Sequence, residues 1–443
     1  MTIAQAAIAP RRFAFRYATL INLLLWIFIF LGSFTFVEPS PYDVLSVIIL
    51  PVWFFSGFRI HRSVVPFVAL LFVSLLTHFL GLLQNANDAE ATVHFNHTVY
   101  IYLTALFFSV FFAEDTSTRT QICFWAYAAS CWTAIICGVL GWFDVGGTAE
   151  TFAPWGRAQG PFKDPNVFGS YLVAGHVFLL QRLLLGQART RFETVATVVS
   201  EFVFLFGIFL SFSRGSWGAT ALSTVLIVGM AFVTSREPRI RRRIAVIAAT
   251  VVALAVMGFF AALSVESIRE KFASRAVAAQ DYDSGETGRF GNQLRSLPML
   301  LERPGGMGLL GYRKIFDLDP HNSYIGAFAN GGWIGGFTFL LLVGATGFVG
   351  FRLCFKRSPF QFQGQIVWTV VLMYFLQAFQ IDIDHWRFFF LQLGLLWGLE
   401  GARQRYDARQ LAAPRASATL SSTRAGLVAA PESRRRSGVS NQR

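Results

Sequence analysis

Charge is scarce in this sequence. Only 14% of its 443 residues are charged, while 54% are hydrophobic. A soluble protein of this size carries charge on roughly a quarter of its residues, so the shortage excludes a water-facing surface over most of the chain. Cysteine is scarce too, with four residues. Cys123, Cys131 and Cys137 sit inside one apolar run and Cys354 beside a basic stretch, with no metal-ligand spacing. They read as small hydrophobes in helices. No P-loop or dinucleotide-type glycine pattern occurs, which removes the usual signs of nucleotide use. The first residues lack the pattern of a cleavable signal.

What remains is a succession of apolar runs, with 48 Phe suited to a lipid-facing surface. Arg11, Arg12 and Arg16 precede an uncharged run at 17–37, long enough to span a bilayer, which takes roughly 20 residues. Further runs fall at 42–58, 64–83, 98–113, 120–143, 166–185, 194–212, 215–233, 244–263, 323–349, 366–381 and 386–400. Inside lipid, only helices satisfy their own backbone in such a pattern. The expected fold class is therefore all-α, a polytopic integral membrane protein of about twelve transmembrane helices occupying residues 1–400.

Loop charge orients the spans. The stretches "FRIHRS" (58–63), "QRLLLGQARTR" (181–191), "TSREPRIRRR" (234–243) and "FRLCFKRS" (351–358) are basic. They alternate with acidic or mixed loops at 84–97, 143–165 and 380–385. Positive loops stay in the cytoplasm, which predicts cytoplasmic termini and places the other loops outside. The net charge of +13 does not point to nucleic acid, because residues 401–443 hold nine Arg against Asp407 and Glu432. That tail is expected to be disordered and cytoplasmic. One outer loop stands apart: 264–320 carries eight basic and eight acidic residues, with short amphipathic helices expected around 268–277 and 292–301. A loop of that length is expected to be functional or disordered.

On this topology four separated segments bring polar residues to the outer face. "WGRAQGPFKDPNVFGSYL" carries Arg157 and, at the start of the next span, Asp164, Pro165 and Asn166. "SFSRGSWGA" places Arg214 in a tight turn whose Ser211, Ser213 and Gly215 offer hydroxyl and N–H groups. "GETGRFGNQLR" places Arg289 in the long loop, and "PHNSYIGAFANGGWIGG" sets His321 and Asn322 at the mouth of a glycine-rich span. Singly, each has a plain reading as a snorkelling or solvated charge or a helix-mouth residue. Their convergence is what those readings do not predict. Guanidinium groups bind phosphate oxygens bidentately and keep their charge. A diphosphate leaving group needs that neutralisation more than it needs a proton. An imidazole takes a proton from an attacking hydroxyl. Together they read as glycosyl transfer from a lipid diphosphate sugar.

Gly326, Gly331, Gly332, Gly335 and Gly336 allow close approach of backbone or lipid, or serve ordinary helix packing. Glu201, inside a span, is expected to be structural, and Asp382, Asp384, His385 and Arg387 are candidates to line the same cleft. No second His or Cys is spaced to join His321, so no metal site and no cofactor are expected.

These residues resemble the O-antigen ligase and polymerase superfamily of bacterial membrane glycosyltransferases. "RAQGPFKDPNVFGSYL" is similar to its R-x-x-G-x-F-x-x-P-N signature, "SFSRG" to its Ser-Arg-Gly turn, and "HN" followed by Gly332 and Gly335 to its histidine motif. The stretch from Arg289 to "RPGGMGLLGY" resembles its outer loop ending in Pro-x-x-Gly-x-Gly, with one glycine shifted. The likeness covers roughly 150–350. It implies a GT-C-like, metal-independent inverting glycosyltransferase in the bacterial inner membrane. The implied donor is an undecaprenyl diphosphate-linked glycan at the periplasmic face. Carried over, Arg157, Arg214 and Arg289 hold the diphosphate, and His321 activates or orients the acceptor. Asn166, Asn322, Asp164 and Ser213 complete the binding set. The implied acceptor is lipid A–core for a ligase, favoured by the histidine motif, or a growing glycan for an O-antigen or exopolysaccharide polymerase. Membrane lipids are the other expected partners, and nucleic acid is not.

Two rivals differ in class. A flippase or other twelve-span transporter is expected to show similar halves and a midplane site, and the sequence shows neither. A peptidoglycan-type polymerase is expected to use an acidic residue, which the 264–320 loop does contain.

Overall fold

The computed structural model describes the backbone of residues 8–55, 57–275 and 285–428. Among these there are helices and no strand. In chain order they are α1 (Ile8–Phe30), α2 (Pro41–Phe55), α3 (Val65–Gln84), α4 (Ala89–Phe111), α5 (Thr116–Trp142), α6 (Ala149–Phe152), α7 (Pro165–Leu185), α8 (Arg191–Leu210), α9 (Arg214–Thr234) and α10 (Pro238–Leu263). Then follow α11 (Glu266–Arg275), α12 (Arg289–Glu302), α13 (Gly311–Phe316), α14 (Ser323–Phe355), α15 (Gln361–Gln377) and α16 (Arg387–Val428). Seven of these, α3, α5, α7, α8, α9, α10 and α14, are long and apolar enough to cross a membrane. Every expected span overlaps a helix, while the number twelve itself remains a sequence expectation.

α7 is the axis of the bundle. It is apolar on all sides and almost wholly buried, as expected of a helix with no face left for solvent or lipid. It packs against α5, α8, α9, α10 and α15. Its polar side chains find partners on those neighbours. His176 Nδ1 lies 2.6 Å from Glu201 Oε1 on α8 and its Nε2 2.9 Å from Thr224 on α9. Gln181 donates to Gln365 on α15 at 3.1 Å. Glu201 thus has the structural role expected of it, with His176 as the partner the sequence had not suggested.

Between apolar helices, close backbone approach replaces the hydrophobic effect as the driving force. α16 meets α4 along Gly394 and Gly398, where an added Cβ would lie 2.6 Å and 2.9 Å from the Cβ atoms of Phe108 and Phe112. α14 meets α3 in the same way, at Gly331 against Thr77.

Three boundaries differ from expectation. α4 starts at Ala89 and not near 98, because Asp88 caps it by accepting from Glu90 N and Ala91 N at 2.9 and 3.2 Å. His94 and His97 are therefore helical rather than loop residues. The tail expected to be disordered from 401 continues α16 to Val428, and residues 429–443 lie outside the described ones. Its first turns are tied down: Glu400 receives Arg352 and Arg403, and Asp407 receives Arg403 at 2.6 Å and Lys356 at 2.5 Å. Third, the long loop is more structured than a polar linker. α11 and α12 match the two short helices foreseen, α13 was not foreseen, and 276–284 lie outside the described residues.

The loop is docked, not dangling. Residues 304–309 wedge between α3 and a break in α14. Trp333 N donates to Pro304 O at 2.9 Å, Met307 N to Ala329 O at 2.7 Å, and Leu309 N to Gly81 O at 2.9 Å. The break is at Gly332, with φ 64° and ψ −163°, a conformation essentially restricted to glycine. A Cβ there would lie 2.2 Å from Pro304 O. The glycines of this span serve backbone approach, one of the readings left open by the sequence. Arg313, bonded to Asp319 and Glu90, and Lys314, paired with Asp88, fasten α13 to the start of α4.

Candidate functional site

Three helices begin around one cleft: α7, α9 and α12. It is lined by Arg157, Asn166, Ser213, Arg214, Arg289, Gln377 and Gln380, among others. Helix N-termini present partial positive charge and unpaired N–H groups, so together they favour an anion.

Local sequence explains each placement. Ser213 caps α9, its hydroxyl accepting from Ser216 N at 3.2 Å and from Ser216 Oγ at 3.0 Å. The turn before it is tight enough to hold Phe212 at φ 46°, a left-handed backbone uncommon outside glycine. Arg214 is thereby the first residue of α9 and lines the cleft. Arg157 comes from the preceding loop and is held by two acceptors. Its Nε donates to Ser211 O at 2.9 Å and its Nη2 to Asn166 Oδ1 at 3.0 Å. Arg289 opens α12, donates through Nη1 to Gln380 O at 3.2 Å and lies over the Phe290 ring.

Asp164 has a different task from the expected one. Its carboxylate accepts Asn166 N at 2.5 Å as the cap of α7, and it does not line the cleft. It positions Asn166 instead. Asn322 also caps a helix, accepting from Tyr324 N and Ile325 N at 3.0 and 3.2 Å, and donates to Phe379 O at 3.2 Å.

His321 lies just beyond this cleft, and the 378–383 segment joins the two. Gln380 reaches the arginines, and two residues on, Asp382 reaches the histidine. Asp382 accepts His321 N on Oδ2 and Asn322 N on Oδ1, each at 3.0 Å, and its Oδ2 is 3.5 Å from His321 Nδ1. Ser323 completes the seam, its N donating to Ala378 O at 2.8 Å and its hydroxyl accepting Ile383 N at 2.8 Å. Gln293 of α12 donates to Pro320 O at 2.8 Å, tying the long loop to the residue before His321. Held this way, His321 keeps φ at 46°. Strain of this kind persists only where the surroundings over-determine it.

The electrostatics follow from the geometry. The Asp382 carboxylate raises the His321 pKa above its ordinary value, against burial and against the nearby Arg289, which lower it. Burial raises the Asp382 pKa, and His321 works in the opposite direction. With Nδ1 turned to the carboxylate, Nε2 is the nitrogen left to exchange a proton with a bound group.

The structure thus brings Arg157, Asn166, Ser213, Arg214 and Arg289 together, and sets His321 and Asn322 beside them. Of the four residues offered as further cleft lining, Asp382 serves His321 while Asp384 and His385 turn toward His94. Arg387 is engaged elsewhere, in a two-point pair with Asp43 at 2.8 and 2.7 Å. Gln377 and Gln380 were missed. Their only sequence signal was two amides at the outer end of an apolar run.

Residues 199–340 match the family model described as O-antigen ligase. The matched stretch contains Ser213, Arg214, Arg289, His321 and Asn322, and leaves Arg157, Asn166 and Asp382 to the flanking sequence. No curated protein matches the chain. With the motifs in order and the helices apolar enough to cross a membrane, the match over 199–340 supports placing this chain with the O-antigen ligase and polymerase superfamily of glycosyltransferase-like multi-pass membrane proteins.

Proposed function

We propose that this protein transfers a glycan from undecaprenyl diphosphate to a lipid A–core acceptor at the periplasmic face of the inner membrane. The observation that carries this reading is the pairing of an arginine-lined, helix-capped cleft with a carboxylate-held imidazole at its edge. Arg157, Arg214 and Arg289, with the starts of α7, α9 and α12, neutralise the diphosphate. Asn166 and Ser213 orient it. His321 Nε2 takes the proton of the acceptor hydroxyl as its oxygen attacks the anomeric carbon. The bond from that carbon to the diphosphate breaks on the opposite face, and undecaprenyl diphosphate leaves with the electron pair. Configuration at the carbon inverts. Asp382 stabilises the imidazolium that forms. These groups accomplish the step without a metal.

The basic loops 181–191, 234–243 and 351–358 support cytoplasmic termini and an outward-facing site. An apolar groove of about 720 Å³ between α8 and α10, lined by Val198, Phe202, Leu205 and Leu254, suits a polyprenyl chain. The histidine motif favours a ligase. An O-antigen or exopolysaccharide polymerase is the alternative, since it uses the same donor chemistry.

The test is the envelope glycan profile of the native host carrying His321→Ala as its sole copy. A lipopolysaccharide gel is read beside a secreted-polysaccharide assay. Core stripped of glycan while polymerised lipid-linked glycan accumulates identifies the ligase. Core bearing a single repeat, or loss of secreted polysaccharide alone, identifies a polymerase. An unchanged profile in both assays overturns the enzyme reading and favours a transporter.

A further inference from the structure

Further along the 378–386 segment, three side chains converge that take no part in the arginine cleft. His94 stands on α4, while Asp384 and His385 precede α16. Donor atoms of the three lie within 4.8 Å of one another. His94 Nε2 is 3.8 Å from Asp384 Oδ2, and the two imidazole rings have centroids 4.0 Å apart. His94 Nε2 is buried and makes no hydrogen bond. A buried polar atom left in that state costs free energy unless something takes up its lone pair.

The neighbouring hydrogen bonds set the protons. The Thr98 hydroxyl donates to His94 O at 3.0 Å, so its oxygen is left to accept from His385 Nε2 at 3.2 Å. His385 is then the tautomer with its lone pair on Nδ1. A ligating histidine usually has its other nitrogen held in this way. Neutral imidazole and carboxylate are the forms that bind metal.

We propose that His94, Asp384 and His385 bind a divalent cation of the zinc class. Two imidazoles and one carboxylate suit zinc, whereas calcium and magnesium favour oxygen ligands alone. Zinc bonds of roughly 2.0–2.1 Å in a tetrahedron set donor atoms about 3.3 Å apart. The 3.8 Å between His94 and Asp384 closes to this by a small side-chain rotation. The fourth position faces a cavity of about 300 Å³ and falls to water. The ion would tie α4 to the loop two residues beyond Asp382, and so steady the carboxylate that holds His321. It stands outside the proposed transfer step. Sequence spacing could not reveal the site, because its ligands come from opposite ends of the chain.

The test uses the full chain, purified in detergent through a tag without histidine, loaded with Zn²⁺, washed with a weak chelator and assayed for metal by mass spectrometry. One zinc per chain is expected in the wild type and in His61→Gln, whose Nδ1 lies 2.7 Å from Ser63 Oγ, away from the three proposed ligands. Near-complete loss is expected in His94→Gln and Asp384→Asn. Wild-type protein loaded with Co²⁺ should show the visible bands of a tetrahedral ion. Zn²⁺ should raise its thermal unfolding midpoint, and Mg²⁺ should not. Wild-type protein that retains no zinc, or His94→Gln that retains as much as wild type, overturns the proposal. The wild-type zinc content and cobalt spectrum decide the matter even if a variant fails to fold, and neither depends on transfer activity.

Discussion

Asp382 binds the two consecutive amides of His321 and Asn322, each at 3.0 Å, and faces the imidazole of His321 with the same carboxylate. One residue therefore sets both the backbone and the charge of the proposed base. A base works in its neutral form, so activity should rise as pH passes upward through the His321 pKa. Asp382 raises that pKa. Asp382→Asn should then shift the acid limb of the pH profile to lower pH, while slowing transfer because the imidazolium loses its partner. A pH–rate profile of the purified protein checks this. An acid limb that stays in place would separate Asp382 from His321.

The proposed clamp depends on guanidinium forks. Arg157 spans Ser211 O and Asn166 Oδ1 from two different nitrogens, a geometry that lysine cannot copy. Arg157→Lys, Arg214→Lys and Arg289→Lys are each expected to lower kcat/KM by roughly 10²-fold or more, the scale of losing one preorganised charge stabiliser. Initial rates with a lipid diphosphate donor measure this. Full activity in the Arg214 and Arg289 variants would remove the clamp.

The break in α14 makes a stability prediction. Gly332→Ala places a Cβ 2.2 Å from Pro304 O on a left-handed backbone. The backbone alone costs on the order of 1–3 kcal/mol, and displacement of 304–309 adds to it. Gly344→Ala, on the same helix with nothing within 4 Å of the added atom, is the control. The thermal unfolding midpoint in detergent should fall for the first and hold for the second.

The long apolar runs were legible because lipid leaves the backbone no choice but helix. Arg157 and Arg214 were legible as charges beside such runs, and Arg289 as a charge in the long polar loop between two of them. The early start of α4 was hidden in "AEATVHFNH", polar enough to pass for a loop, although Asp88 followed by Glu90 carried a capping signal. Asp164 and Asn322 stand at helix starts and read from sequence as substrate-binding residues, and the structure uses both as caps. What no local pattern could give is the pairing of His321 with Asp382 or of His94 with His385. Those contacts form only once α14 and α4 pack beside the segment that precedes α16.

The measurement that bears most directly on the central claim pairs binding with turnover in one variant. His321→Ala, purified and supplied with an undecaprenyl diphosphate-linked glycan and acceptor, should bind the donor with near wild-type affinity, because Arg157, Arg214 and Arg289 remain. It should form no transferred product. Transfer at the wild-type rate by this variant would contradict the assignment of His321 as the base.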